Sequence, residues 1–148
     1  MKVGILMGSA SDAERMAPVR QYCERLGVEA EEHVLSAHRD PDAVGEFAAS
    51  AATSGFGVLV CGAGMAAHLA GAVAARTTLP VIGVPLSGGL AGGLDALLAT
   101  VQMPRGVPVA TVAVDGAVNA ALLAVQILAL SDAGLAARFA ELKAAGGR

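Results

Sequence analysis

Ser36-Ala37-His38-Arg39-Asp40-Pro41 is the stretch whose residue types could do chemistry. A hydroxyl, an imidazole and a permanent cation lie within four consecutive positions, enough to hold an anion and move a proton beside it. Upstream, Val28, Ala30 and Val34 alternate as in a strand; downstream, Val44, Phe47, Ala48 and Ala51 follow helical spacing. Asp40 before Pro41 reads as an N-cap followed by proline at the first helical position, where a missing N–H costs nothing. Ser36, His38 and Arg39 therefore belong to a strand-to-helix loop, beside unsatisfied N–H groups at the positive end of a helix dipole. Taken alone, the same residues also describe an ordinary polar surface loop.

Two further loops carry candidate groups. Gly8-Ser9-Ala10-Ser11-Asp12 offers hydroxyls and a carboxylate at a helix start. It is either a turn with its N-cap or a phosphate cradle in which Asp12 accepts from ribose hydroxyls. Gly62-Ala63-Gly64-Met65-Ala66-Ala67 formally fits the dinucleotide pattern G-x-G-x-x-G/A, but about twenty positions on stand Ile82, Gly83 and Val84, with no acidic residue for a ribose. Close helix–sheet packing and a small carboxylate-sized pocket of backbone N–H groups are the other readings of those glycines. His68 after them is either a packed helix residue or a ligand contact.

The elements that must position these loops are legible from periodicity. Continuous apolar runs at Val3–Met7, Gly57–Cys61 and Pro80–Pro85 read as buried parallel strands, and Val109–Val114 as a fifth. Helical faces are formed by Met16, Val19, Cys23 and Leu26, and by Leu94, Leu97, Leu98 and Val101. An Ala-rich helix is expected to run to about Arg76, and a longer one to begin near Ala117. Gly27 is a good left-handed terminator for the first helix, and Pro18 predicts an irregular first turn or a later start. A last helix, about residues 132–145, carries a narrow Leu135, Phe139, Leu142 stripe suited to docking on a neighbouring subunit; residues 144–148 should fray. Strands alternating with helices predict a single α/β domain over 1–148, a doubly wound parallel five-stranded sheet. With strand order 2-1-3-4-5, the loops after strands 1, 2 and 3 would share one crevice at the carboxyl ends.

Bulk properties narrow the function classes. Of 148 residues, 55% are hydrophobic and only 16% charged, more apolar surface than one small domain readily buries, which predicts association between subunits. Net charge is −3, with one tyrosine and no tryptophan, so no basic stripe with stacking aromatics suggests nucleic acid. Cys23 and Cys61 stand apart, in a spacing that suggests neither a metal site nor a disulfide framework and fits a reducing compartment. The apolar opening is too short for a secretory segment, and Ala117–Leu130 falls short of a membrane span. A soluble, cytoplasmic protein with no membrane partner is expected.

Taken together, GSASD (8–12), SAHRDP (36–41), GAGMAAHLAG (62–71), PVIGVP (80–85), GLDALL (93–98), VQMPRGVPVATVAV (101–114) and NAALLAVQIL (119–128) resemble the 5-(carboxyamino)imidazole ribonucleotide mutase family, PurE, over nearly the whole chain. That resemblance implies a flavodoxin-like three-layer sandwich assembled as a homo-octamer, with sites at subunit boundaries. It implies a reaction of purine synthesis in which a carboxylate moves from an exocyclic nitrogen to ring carbon 4, without ATP, metal, biotin or other cofactor. By position, Ser9, Ser11, Ser36 and Arg39 would surround the substrate phosphate, Asp12 the ribose, and His38 would be the general acid/base. Gly62, Ala63, Gly64 and Ala66 would line the CO2 pocket with His68 nearby, and Gln102–Gly106 would come from an adjacent subunit. Met65 and Ala70 depart from the usual glycine and proline, the 86–93 loop is less polar than usual, and the Val114–Gly116 turn is shorter. Competing readings are a direct CO2-using carboxylase of the same fold, a non-enzymatic flavin- or nucleotide-binding module, and a structural oligomer with a decayed site.

Overall fold

Strands that are apolar on both faces must be covered on both faces, and that requirement organises the chain. A computed structural model describes residues 1–147; Arg148, the end of the stretch expected to fray, lies outside the described residues. β1 (Lys2–Met7), β3 (Phe56–Gly64) and β4 (Val81–Leu86) are almost wholly buried. β2 (Ala30–Val34), buried only at Ala30 and alternating between half-buried and exposed residues beyond it, takes one edge; β5 (Ala110–Thr111) takes the other. The order is β2-β1-β3-β4-β5 and every pair is parallel, the doubly wound arrangement expected from the sequence.

Helices fill both faces. α1 (Ala13–Arg25), α5 (Ala117–Ala129) and α6 (Ala133–Ala144) lie on one side, where Met16, Val19, Cys23, Val125 and Leu128 meet Val3, Ile5, Val60 and Ile82. On the other side, α2 (Pro41–Ser50) and α3 (Leu69–Ala74) bring Val44, Ala48, Leu69 and Val73 onto Leu6, Leu59 and Cys61. α4 (Leu94–Val101) joins that side: a Cβ at Gly83 would lie 2.3 Å from Thr100 Cγ2 and 3.4 Å from Ala70 Cβ.

Several boundaries differ from the sequence reading. α1 does not start late; it runs through Pro18, and the irregularity falls in a 3-10 turn, Ala10–Asp12, just before it. The carbonyl that loses its partner belongs to the exposed Glu14, where water can serve. β5 is two residues rather than six, although Val112 N–H still donates to the Gly83 carbonyl and Asp115 N–H to the Pro85 carbonyl. α3 stops at Ala74, short of Arg76. The α6 stripe expected to meet a neighbour is covered by its own chain. Leu135 and Leu142 are buried in the first core, Phe139 packs against it, and Arg138 Nε donates to the Leu26 carbonyl at 2.8 Å.

Candidate active site

Parallel strands deliver their following loops to one end of the sheet, and here the loops after β1, β2, β3 and β4 enclose a cavity of about 510 Å³. Ser9 N-caps the 3-10 turn: its Oγ accepts from Ser11 N–H at 3.3 Å and from Ser11 Oγ at 2.8 Å. Asp12 follows without making a capping bond, so its carboxylate is not committed to the helix it precedes.

The second loop is built by the cap foreseen in the sequence. Asp40 Oδ1 accepts from Ala43 N–H at 3.2 Å, with Pro41 in the first turn of α2. Asp40 N–H donates to the Ser36 carbonyl at 2.8 Å, folding residues 36–40 into a tight turn. Within it, Ser36 Oγ accepts from the Arg39 backbone N–H (3.3 Å) and from Arg39 Nε (3.2 Å). Arg39 Nη2 reaches across to the Gly8 carbonyl at 2.7 Å, tying the second loop to the first. The guanidinium is thus oriented while other N–H groups remain for an anion, since five donors are available.

His38 projects from the same turn and meets His68, the cap residue of α3, with His38 Nε2 and His68 Nδ1 at 2.5 Å. The rings are nearly perpendicular, 82° apart in plane. Such a contact requires one ring nitrogen to donate and the other to accept, so the two imidazoles share a proton position.

The third loop supplies Ala63, Gly64 and Ala66, which line the cavity with Met65 and His68. Gly62 is not among the lining residues. It lies within β3, buried, and a Cβ there would stand 2.3 Å from Met16 Sδ, so its lack of a side chain serves packing of α1 on the sheet. Met65 adopts φ +52°, the left-handed region where glycine is at ease, and its side chain is 67% exposed. All other candidates, Ser9, Ser11, Asp12, Ser36, His38, Arg39, Ala63, Gly64, Ala66 and His68, line the one cavity. Gln102–Gly106 is not part of its wall within the chain.

Arg15 and Ser87 also line it and escaped the sequence reading. Arg15 had a usable signal, one helical turn beyond Ser11, whereas Ser87 reaches the cavity through sheet order alone. Among the described residues, no group of three or more His, Cys, Asp or Glu side chains is placed to hold a metal ion. Both cysteines are buried, and desolvation pushes the Cys23 thiol up to about 12 and the Cys61 thiol higher still, so neither offers a thiolate.

A parallel 2-1-3-4-5 sheet with a cavity at its carboxyl edge defines a flavodoxin-like α/β protein. Residues 2–146 match the family model described as AIR carboxylase, and the chain belongs to that family. It is 52% identical over 141 residues to the N5-carboxyaminoimidazole ribonucleotide mutase of Bacillus subtilis (strain 168), covering 94% of this chain and 87% of that one. The protein of the same name from Brucella melitensis biotype 1 is 50% identical over 145 residues, covering 97% and 90%. The crystal structure of Treponema denticola PurE superposes with a TM-score of 0.87 at 26% identity, covering 98% of this chain and 90% of that one.

Proposed function

We propose that this chain is an N5-carboxyaminoimidazole ribonucleotide mutase acting in purine biosynthesis, with His38 as the proton shuttle. The observation that carries the reading is the His38–His68 contact, in one cavity with Ser9, Ser11, Ser36, Arg39 and the Ala63–Ala67 segment. The phosphate would rest on the hydroxyls and the Arg39 guanidinium, the ribose on Asp12, and the carboxylate against Ala63, Gly64 and Ala66. In this mechanism the N–C bond to the carboxylate breaks and CO2 is released into the pocket, while His38 gives a proton to the exocyclic nitrogen. Carbon 4 then attacks the trapped CO2, and His38 takes the proton from that carbon, so no proton is gained or lost overall. The His68 contact gives the His38 proton a hydrogen-bond partner before the first transfer and after the second, when His38 carries it. An imidazole can do both transfers near neutral pH.

Beyond the single chain, we place the enzyme in the cytoplasm as a homo-oligomer of the octameric kind. An apolar face on α4, with Leu94, Leu98 and Val101 each nearly half exposed, supports burial between copies. Gln102–Gly106, directly after that face, would then reach a neighbour's cavity.

The test is turnover of 5-(carboxyamino)imidazole ribonucleotide without ATP, compared with aminoimidazole ribonucleotide plus bicarbonate. Efficient use of the first substrate alone is expected. Preference for the second would instead assign the direct carboxylase, and no turnover of either would leave a binding module or a decayed site. In His38→Asn, turnover should fall by about 10²–10⁴ with nucleotide binding retained. A normal rate per bound complex in that variant would sink the shuttle.

A further inference from the structure

The glycine-rich segment that follows β4 is gripped at its first residue from two sides. Arg15 Nη1 donates to the Ser87 carbonyl at 2.5 Å, and Ser87 N–H donates to Asp115 Oδ1 at 2.9 Å. Asp115 is itself fixed, with its N–H donating to the Pro85 carbonyl at 2.9 Å and its backbone at φ +56°. One residue therefore meets a cation at its carbonyl and an anion at its N–H, both charge-assisted bonds. Further on, Asp95 Oδ2 accepts from Leu90 N–H at 3.0 Å, a second post for the segment. Its far end is closed by Gly93 N–H donating to the Leu90 carbonyl at 3.1 Å; Gly88, Ala91, Gly92 and Gly93 all take positive φ, and Leu90 is 74% exposed.

Arg15, Ser87 and Gly88 all line the cavity described above. Sheet order sets this wall on the far side of the site from the His38 loop, with β1 and β3 between. Without the Arg15 bond, the carbonyl end of this wall would be held only through the Ser87 N–H.

We propose that Arg15 is a positioning residue: by holding the Ser87 carbonyl against the Asp115 grip, it fixes Ser87 and Gly88, the head of the 87–93 segment, as the cavity wall against which the nucleotide is seated. The kinetic part of this idea rests on the mutase reading, whereas the structural part does not. Hydrogen exchange of the 88–93 amides and steady-state kinetics are measured on the intact assembly for the parent, Arg15→Ala, Arg15→Lys and Asp115→Asn.

In Arg15→Ala we expect KM to rise roughly three- to tenfold with kcat within about twofold, the loss of one charge-assisted bond that positions rather than reacts. Exchange at 88–93 should quicken by about fivefold or more in Arg15→Ala and in Asp115→Asn. Arg15→Lys, which keeps a cation able to reach the carbonyl, should recover part of both effects. Unchanged exchange and unchanged KM in Arg15→Ala would overturn the proposal while leaving the mutase reading in place. Weakened binding of inorganic phosphate with unchanged exchange would also overturn it, making Arg15 a direct ligand. If the parent fails to turn over the ribonucleotide, the mutase reading fails, and the exchange data still decide the latch.

Discussion

At the scale of single residues, two backbone positions stand out beside the His38–His68 pair. Met65 holds φ +52° at the cavity rim with most of its side chain exposed. A left-handed conformation costs an L-residue about 1–2 kcal/mol, and glycine there would lose about 0.5–1 kcal/mol in backbone entropy. Met65→Gly should therefore raise the urea midpoint, corresponding to a net gain of up to about 1.5 kcal/mol. A lower midpoint would mean that the thioether is packed against a neighbouring copy. Asp115 gives a pH-dependent signature. Hydrogen bonds from Ser87, first of all, and the Arg15 charge beside it hold its carboxyl below the ordinary aspartate range. The folded pKa lies below the unfolded one, so the stabilisation is present above the unfolded value, about 4, and is lost as pH falls through the folded one. Exchange at Ser87 should quicken in the folded protein as pH drops below about 4, after correction for intrinsic rates. In Asp115→Asn that extra acid dependence should vanish.

At the scale of elements, the turns proved more predictable than the strand ends. Asp40–Pro41 specified its helix start through a local bond, and Gly27 ends α1 with φ +76°, both fixed by neighbours in sequence. Of the two α1 starts that Pro18 leaves open, the irregular first turn forms and the later start does not, because the cost of an internal proline depends on whether the orphaned carbonyl meets water, a tertiary matter. Gly62 is ambiguous in sequence for a related reason. A glycine after a buried strand reads equally as a ligand cradle or as room for a helix, and only the position of Met16 separates them. Gly62→Ala should cost about 1–3 kcal/mol by overpacking, because the fully buried Met16 must yield. The KM measured below the transition should stay close to the parent value. A raised KM at unchanged stability would return Gly62 to the pocket.

At the scale of the whole molecule, the apolar excess of the composition is only partly absorbed by the two cores on either side of the sheet. Part remains on α4 as Leu94, Leu98 and Val101, a face at helical spacing that the described residues leave nearly half exposed. Leu98→Asp should leave the stability of a single chain within about 0.5 kcal/mol, since the site is half exposed, and should shift sedimentation toward smaller species. A parent protein that sediments as a monodisperse monomer at micromolar concentration would remove the basis for subunit-boundary sites. Among the described residues, no helix is long and apolar enough to cross a membrane.

Periodicity, caps and motif spacing by themselves determined the number of strands, the α/β class and which strand-to-helix loops carry polar or glycine-rich groups, because each of those depends on neighbours a few positions apart. Tertiary structure alone decided that His38 and His68, thirty positions apart, touch ring to ring. It also turned Gly62 toward a helix, drew α6 onto its own core, and set Arg15 against Ser87, 72 residues away. Those outcomes follow from which strands lie side by side and which faces the helices cover, and no local pattern of residue types carries that information.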